Sequence, residues 1–556
     1  MGAGLMNGFI SKLESLLSGS GISPEEVLKH VSLLHDASVL SADNTDMAEV
    51  LRSLALRLKG KKTGIFPASS FLETFIGFTG CDNVTVYDDY RAGEEVAGVQ
   101  IKHPREMSAD ELNHVVFLSF RPNLLEILQE KTDTDIITLQ EALHDYVKNR
   151  LPVERFFNSG GGLYSKADAL LAEIRRADNP VIFINGFLFN NYGPTFRALE
   201  ERGHDVFIIA ANEHLLYAKQ DSKIYEFPLK NVHKLSVPEI LYFAAGLDKG
   251  KVFLNDISFL LPGFNAYNGL VSLSFTTALL QHIRVKTVLF LYDIVPSFIE
   301  GYGYQEHFTK VYQAMLESAD AVILNSNTKD GSAALRNMFA VDKPFLSFYR
   351  YNAYVPKLQE KLKDGFHLAI IGGMDDKLRD SRHMLIKLLR LGIYVHNYVP
   401  CKAMLEFEQQ LTPEERKYYT LHESIVDQGE LIYEISRYHA GWIVDNGYEV
   451  LNLINSVSNP KLKEVFMMFR LTTISSSLIV HAVAGLPVFL NRMVVHVTYE
   501  FPSDFFIPIE EAEVDNMHKI ISETDWEQRY RTADEKRHLF AIDSRIDELI
   551  NFLKEL

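Results

Sequence analysis

The chain has 556 residues, which is too long for a single hydrophobic core, so two to four domains are expected. Its 73 Asp and Glu outnumber its 56 Lys and Arg and give a formal net charge of −17, which argues against nucleic-acid binding because that function needs a basic surface. Its 2 cysteines, Cys81 and Cys401, are too few for a disulfide framework or a multi-cysteine zinc site and favour a reducing, cytoplasmic compartment.

Residues 1–60 have the pattern of a helical N-terminal segment. Ser23, Pro24 and Glu26 supply a cap residue, a proline at the first helical position and a capping-box glutamate. The apolar residues that follow recur at helical spacing. The first 21 residues lack the basic start and unbroken apolar core of a signal peptide.

The sequence predicts no transmembrane helix. Its most apolar stretches, such as residues 287–298, contain a charged residue and are shorter than the roughly 18 apolar residues that a bilayer requires. We therefore expect any membrane contact to be peripheral. The sequence does not indicate an oligomeric state.

Residues 61–150 are predicted to form a small Rossmann-like module. A strand, a turn and a helix lead into a second strand at residues 83–87, which ends in two aspartates, and a further apolar strand follows at residues 115–119. This order is typical of a Rossmann half. The turn that contains Gly64 and Pro67 makes an untypical phosphate loop, so no ligand is assigned to this module.

Residues 151–178 are predicted to be a linker, because the stretch includes the flexible, glycine-rich residues 158–162. Two α/β domains with parallel sheets are expected to follow, at residues 179–355 and 356–556. Their predicted strands are the short apolar runs at residues 181–184, 206–210, 251–254, 287–291, 321–324, 367–371, 393–396 and 441–444.

The histidines do not indicate a metal site. No His-x3-His pair occurs on a predicted helix, and no glutamate-rich partner pattern accompanies the histidines. We therefore expect neither a bound metal nor another cofactor.

Five ordered features mark residues 179–556. They are Asn185-Gly186 after a strand, Asp293 after the strand at 287–291, Asn325-Ser326 after the strand at 321–324, Gly372-Gly373 with Arg379 and Arg382 beyond, and a helix that ends in Gly485-Leu486-Pro487. In this order they resemble GT-B glycosyltransferases. The resemblance implies two facing Rossmann-like domains, an acceptor-side domain followed by a donor-side domain. A final crossover helix, predicted at residues 541–556, would return to the first of the two.

The resemblance also implies transfer of a sugar from a nucleotide-diphosphate sugar to a glycan, lipid or protein acceptor. It further implies a role in polysaccharide biosynthesis and a transfer reaction that needs no metal ion. Asp293 is the catalytic candidate, because a carboxylate past the carboxyl end of a parallel strand could accept a proton from an acceptor hydroxyl. A capping or turn aspartate is the alternative. Further cleft candidates are Asn185, Gly186, Asn325, Ser326, Asp445 and Gly485.

Phosphate binding is predicted around Gly372 and Gly373, where backbone N–H groups could approach a diphosphate without side-chain obstruction. Arg379 and Arg382 could neutralise its charge, although a tight turn with solvated basic residues is the alternative. The triple serine of residues 475–477 precedes the later helix, and hydroxyl and N–H groups at a helix start suit a phosphate. A capped, buried helix with a satisfied His481 is the other interpretation. The serines concerned are Ser475, Ser476 and Ser477.

One departure from the resemblance bears on function. Val480 and Thr472 stand where one GT-B branch has a pair of glutamates, so this chain cannot bind ribose hydroxyls with that pair. A catalytically inactive GT-B-like scaffold or sensor therefore stays open as an alternative. Another Rossmann-type nucleotide-sugar-modifying enzyme, such as an epimerase, also stays open, although no predicted strand is followed by an intact Gly-x-Gly-x-x-Gly.

Overall fold

In the residues that it describes, the computed structural model has three β-sheets, each made almost entirely of parallel strands. No helix in the part of the chain that it describes is long and apolar enough to cross a membrane. The described residues are 2–35, 45–119, 122–150, 164–185, 193–210, 232–255, 259, 266–291, 305–324, 333, 336–337, 339–349, 352–372, 380–400, 402–425, 427–444, 455, 460, 463, 476–492 and 501–556.

Three helices form the predicted N-terminal segment. The second begins after Ser23, whose Oγ accepts a hydrogen bond from the Glu26 N–H at 3.1 Å, so the expected helix cap is present. The helices are α1 (Gly2–Leu17), α2 (Pro24–His35) and α3 (Thr45–Leu58).

The first sheet confirms the small Rossmann-like module. Its strand order is β3-β4-β2-β1-β5-β6, and β3 pairs antiparallel with β4 at one edge. The remaining strands have the Rossmann order, in which the first and fourth lie side by side at the centre. In chain order the elements are β1 (Thr63–Phe66), α4 (Leu72–Thr79), β2 (Val84–Tyr87), β3 (Glu95–Val96), β4 (Val99–Lys102), β5 (His114–Phe117), α5 (Pro122–Gln129), β6 (Ile136–Thr138) and α6 (Leu139–Arg150).

The second sheet has the order β13-β12-β11-β10-β7-β8-β9, again with its first and fourth strands adjacent. All its pairings are parallel. The elements are α7 (Ser165–Arg176), β7 (Pro180–Asn185), α8 (Gly193–Glu201), β8 (Asp205–Ala210), β9 (Val232–Lys234), α9 (Val237–Gly246), β10 (Lys251–Asn255), α10 (Ala266–His282), β11 (Lys286–Leu291), α11 (Gln305–Ser318), β12 (Ala321–Leu324) and β13 (Phe345–Ser347).

The third sheet repeats the plan with the order β16-β15-β14-β17-β18-β19, all parallel. Together the three sheets give the predicted α/β class, two Rossmann-like domains of the GT-B type preceded by a smaller one. The elements are β14 (His367–Ile370), α12 (Arg382–Arg390), β15 (Tyr394–Asn397), α13 (Lys402–Gln410), α14 (Pro413–Arg416), β16 (Tyr419–Leu421), α15 (Gln428–Ile435), β17 (Ala440–Ile443), α16 (Ser476–Val483), β18 (Val488–Asn491), β19 (Phe506–Ile509), α17 (Met517–Glu523), α18 (Trp526–Lys536) and α19 (Ile546–Glu555).

Both faces of the second sheet are buried. Successive residues of a strand point to opposite faces, so Ile182 and Ile184 join the core that includes the N-terminal helices, whereas Val181 and Phe183 join the core that includes α19. This explains why β7 consists of consecutive apolar residues without alternation.

The N-terminal helices pack directly on the second-sheet domain. The rings of Phe9 in α1 and Phe275 in α10 meet edge to face with centroids 5.5 Å apart. The Lys310 ammonium of α11 donates to the Ser15 carbonyl at 2.8 Å. The helical segment is therefore attached to this domain as well as to the first-sheet module.

Part of the predicted linker at 151–178 belongs instead to the second-sheet domain. Residues 165–176 form α7, whose Leu170, Leu171 and Ile174 are buried. The Tyr242 hydroxyl of α9 donates to the Asp168 carboxylate at 2.8 Å. The linker prediction depended on the glycines at 160–162, which lie outside the described residues, and it overlooked the apolar periodicity that follows them.

The predicted crossover helix at 541–556 starts later than expected. Residues 542–544 form a 3₁₀ turn, in which the Arg545 N–H donates to the Ile542 carbonyl at 2.9 Å, and α19 begins at Ile546. The helix packs against the second-sheet domain, where Asp547 pairs at 3.2 Å with Arg202, the residue after α8, and the Leu553 carbonyl accepts from Lys251 of β10.

Candidate functional site

The third sheet has its topological switch point between β14 and β17. These two strands are neighbours, with Leu368 opposite Ala440 and Ala369 opposite Gly441. Since parallel α/β sheets bind ligands outside the carboxyl ends of their strands at such a point, the residues just after β14 are the first place to look for a site. Gly372 follows the end of β14 by two residues.

Gly372 lies against the N-terminal turn of α16. A Cβ at this position would be 3.7 Å from Ser477 Oγ and 3.9 Å from Ser477 Cβ. The first N–H groups of any helix have no acceptor within the helix, and its dipole is positive at that end. Gly372 and Ser477, which are far apart in sequence, thus come together at the switch point.

His481 anchors α16 in this position. Its Nδ1 lies 2.8 Å from the Ser477 carbonyl and its Nε2 lies 3.2 Å from the Ala369 carbonyl of β14. Burial lowers the pKa of this imidazole to about 4, although its two backbone contacts act in the opposite direction. The ring is therefore a neutral, buried packing element that links the helix to the sheet, as the second interpretation from the sequence proposes.

Arg382 is engaged by an acidic neighbour. Its Nε and Nη2 donate to the two carboxylate oxygens of Asp380 at 2.8 Å and 2.6 Å. Burial by itself would raise the pKa of Asp380, but the hydrogen bonds from Arg382 outweigh it and lower that pKa. A phosphate at Arg382 would thus have to share the guanidinium with a carboxylate that the sequence analysis did not weigh.

Gly485 lies at the other end of α16. Its φ of 67° and the bonds from the Gly485 N–H to the Ala482 carbonyl and from the Leu486 N–H to the His481 carbonyl form a Schellman helix end. This confirms that glycine ends the helix. Gly485 packs on Leu358 and Arg537, whereas Gly372 contacts the opposite end of the same helix.

The second sheet has an equivalent switch point between β7 and β10. Ile184 is in register with Leu254, so Asn185 and Asn255 end neighbouring strands at the same edge. Asn255 is only 2% exposed. Asn185 is among the residues predicted from the sequence and Asn255 is not. An amide residue at the end of an apolar strand would have indicated Asn255 as well.

A line of histidines crosses the third sheet, and the sequence analysis missed it. His367 Nε2 lies 3.0 Å from Asp364 Oδ1, His367 Nδ1 lies 2.9 Å from His396 Nε2, and His396 Nδ1 lies 3.1 Å from His422 Nε2. All three contacts are satisfied if each Nε2 donates. The ring of His422 ends the line at the carboxyl edge, where it stacks on Tyr398 at 4.3 Å.

These histidines are held neutral. Burial first, and then the neighbouring His367 and His422, lower the pKa of His396 to about 3. Because the partners are 26 to 29 residues apart in sequence, no local pattern marks them. They form an ordered hydrogen-bonded row with one end at the proposed ligand-binding edge.

Several predicted site residues cannot be placed. For Asn185 and Ser476 the structure describes the backbone, at the end of β7 and the start of α16. Residues outside the described part of the chain are Asp293, Gly373, Arg379, Ser475, Gly186, Asn325, Ser326 and Asp445.

No family model and no curated protein matches the chain. Among solved structures it is similar to sucrose-phosphate synthase from Thermosynechococcus elongatus, at 12% identity and a TM-score of 0.46 over 68% of this chain and 99% of that one. Anabaena Alr3699/HepE in complex with UDP-glucose gives 12% identity, a TM-score of 0.45, and 68% and 100% coverage. A glycosyltransferase from Rickettsia africae is 11% identical, with a TM-score of 0.44 over 68% of this chain and 98% of that one.

These similarities are to GT-B glycosyltransferases. The fold of this chain is established by the strand orders of its own three sheets.

Proposed function

We propose that this chain is a glycosyltransferase that transfers a sugar from a nucleotide-diphosphate sugar to a glycan, lipid or protein acceptor. The observation that supports the proposal best is the contact between Gly372 and Ser477 at the switch point of the third sheet. A bare backbone turn that faces a helix N-terminus suits a diphosphate.

In the proposed reaction the bond between the anomeric carbon and the diphosphate oxygen breaks, and a bond to the acceptor oxygen forms. Negative charge then develops on the leaving diphosphate. The N–H groups at the start of α16 and after β14 would stabilise it without reorganising, so we propose that donor chemistry needs no metal ion. Asp293 is the proposed base that takes the proton from the acceptor hydroxyl.

Asp380 would orient Arg382 beside the diphosphate and would compete with the diphosphate for its guanidinium. Because the guanidinium already has a carboxylate partner, Arg382 would be held in one orientation, and part of its charge would be balanced. A phosphate would then share the guanidinium, which carries five N–H donors in all, with Asp380.

The acceptor is proposed to bind at the carboxyl edge of the second sheet. Asn185 and Asn255 end adjacent strands there, and amide groups both donate to and accept from sugar hydroxyls. A cytoplasmic location and a role in polysaccharide biosynthesis complete the proposal. The low cysteine content supports the location.

A second candidate function is nucleotide-sugar binding without turnover. Val480 occupies one of the two positions at which a GT-B branch carries its glutamate pair, and it is 5% exposed within the apolar core. No carboxylate is available from this position for the ribose. In that case the site would bind the donor as a scaffold or sensor.

The test is calorimetric titration of the full chain with uridine, guanosine, cytidine and adenosine diphosphates and their sugars. The key variant is Gly372→Asp, because a Cβ there has ordinary van der Waals room beside Ser477 and its carboxylate would repel a phosphate. We expect one nucleotide family to bind and the variant to bind at least about 10-fold more weakly, with an unchanged ligand-free melting temperature.

Gly372→Ala is the matched control, since it adds a side chain without charge, and its affinity should stay close to that of the wild type. Equal affinity in wild type and Gly372→Asp would reject the phosphate site. Binding without release of nucleoside diphosphate, across glycan, lipid and protein acceptors, would favour the scaffold over the transferase.

A further inference from the structure

Two histidines and a glutamate meet where the N-terminal helices join the first-sheet module. Glu26 and His30 are four residues apart on α2, so they lie on one face of that helix. His144 comes from α6, which follows the last strand of the first-sheet module. A fourth residue, Tyr267 of α10, reaches the same place from the second-sheet domain.

The metal-binding atoms of the three side chains are close to one another. One carboxylate oxygen of Glu26 and one ring nitrogen from each histidine all lie within 4.8 Å. Within this set, His144 Nε2 lies 3.7 Å from Glu26 Oε1. Ligands around a tetrahedral zinc ion are about 3.4 Å apart, given bond lengths of about 2.0 to 2.1 Å. Small side-chain rotations would therefore close the set around an ion.

His30 supplies the second, independent observation. Its side chain is 3% exposed, and its Nε2 is buried without a hydrogen-bond partner among the described residues. A buried polar nitrogen without a partner costs free energy, so its persistence calls for an explanation.

Glu26 is also buried, at 6% exposure. The Tyr267 hydroxyl donates to its Oε1 at 2.7 Å, which fixes the orientation of the carboxylate. A buried carboxylate is costly unless a positive charge compensates it. With Tyr267 behind it, Glu26 has the environment of a metal ligand whose own hydrogen-bond partner holds it in place.

We propose that Glu26, His30 and His144 bind a divalent transition-metal ion at the junction of the N-terminal helices and the first-sheet module. Two imidazoles and one carboxylate are a donor set that zinc uses. The partly exposed side chain of His144 gives the ion a path from solvent. A water molecule would complete a tetrahedral shell.

The proposed ion has a structural role. It would tie α2 to α6 and, through Tyr267, to α10 of the second-sheet domain. The site is separate from the switch point of the third sheet. The proposal of a metal ion therefore does not depend on the proposed sugar transfer.

The experiment uses the full chain, stripped with a chelator and titrated calorimetrically with Zn²⁺. We expect one ion per chain and a higher melting temperature with zinc. Glu26→Gln keeps the size of the side chain, and His144→Ala removes a partly exposed ligand, so each should weaken binding by at least about 10-fold. His518→Ala removes an exposed histidine elsewhere and should bind zinc as the wild type does.

Two further readouts do not depend on the folding of any variant. Wild-type protein loaded with Co²⁺ should show the visible absorption of a tetrahedral site, and anomalous diffraction at the zinc edge should place the ion between Glu26, His30 and His144. Absence of stoichiometric zinc binding by the wild type, or an ion located elsewhere, would overturn the proposal. Unchanged affinity in both ligand variants would do the same.

Discussion

The ring of His481 occupies the space that a side chain at Gly441 would need. A Cβ on Gly441 would lie 2.5 Å from His481 Cδ2 and 2.6 Å from its Cγ. The imidazole cannot withdraw easily, because it is fully buried and the neutral ring donates to one of the two backbone carbonyls that its nitrogens face. Helix α16 therefore approaches the sheet as closely as it does because β17 carries a glycine at this position.

Gly441→Ala should destabilise the protein by about 1 to 3 kcal/mol, the usual cost of an overpacked core. Urea unfolding would measure the loss. Gly77→Ala is the matched control, since it lies inside α4 with nothing within 4 Å of its Cβ and should stabilise by about 0.5 to 1 kcal/mol. A Gly441→Ala variant as stable as the wild type would contradict the close packing of His481.

Arg537 should be essential for the segment that joins the second and third sheets. It is 2% exposed and donates to the carbonyls of Val355, Pro356 and Val483 at 2.6, 3.0 and 3.3 Å. Arg537→Ala leaves these acceptors unpaired and should cost about 3 kcal/mol or more in unfolding free energy.

Arg537→Lys keeps the charge but not the planar fork, so it should recover only part of that stability. The exposed Arg531→Ala is the control and should unfold as the wild type does. If Arg537→Lys were fully stable, the charge and not the three carbonyl contacts would be the source of the effect.

Stability should fall as the pH is lowered from about 6.5 towards 4. The pKa of His481 is about 4 in the fold, below its ordinary value of 6.5, so protons bind preferentially to the unfolded chain in this range. Its contribution is fully present above pH 6.5 and is lost as the pH falls, to a total of about 3 kcal/mol.

His396, with a pKa of about 3, acts in the same direction. Urea midpoints measured across this pH range would test the prediction. His481→Gln should be less stable at pH 7 but should show a flatter pH dependence, whereas the exposed His518→Ala should keep the wild-type slope. Equal slopes in wild type and His481→Gln would indicate that this imidazole does not titrate as described.

Asp380 should weaken nucleotide binding by holding Arg382. On the proposed donor site, Asp380→Asn removes the competing charge and should tighten binding of the nucleoside diphosphate several-fold. Arg382→Ala should weaken it by about 10-fold, the value of one charge-assisted hydrogen bond. Titration calorimetry of both variants measures this, and opposite signs are the expected result. Weaker binding in Asp380→Asn would mean that the carboxylate positions the arginine more than it competes.

The order of strands and helices could be predicted because each strand is a short apolar run and each unit repeats the same plan. Residues 181–184 and 206–210 illustrate this, since sheets buried on both faces need no alternation. The end of α16 at Gly485 was equally readable, because a positive φ favours glycine.

What the sequence hides is the partner of each polar side chain. Glu26 was assigned as a capping-box residue, and its backbone N–H is capped by Ser23, yet its carboxylate turns inward to Tyr267, which is 241 residues away. Arg382 was assigned as a phosphate ligand without regard to Asp380, although the two are only two residues apart. The local sequence pattern predicts the backbone conformation, whereas the direction of a charged side chain depends on its tertiary neighbours.

The position of α19 at the end of the chain also determines when the second-sheet domain can complete its folding during synthesis. Val181 and Phe183 share their core with Ile546, Leu549 and Ile550 of that helix. On this face α8 supplies Phe196 and Leu199, but the part that α19 covers stays open until that helix is synthesised, after the third sheet. A nascent chain stalled within residues 356–545 would expose this apolar surface of the second-sheet domain. Chaperones that bind apolar surfaces would act on that species.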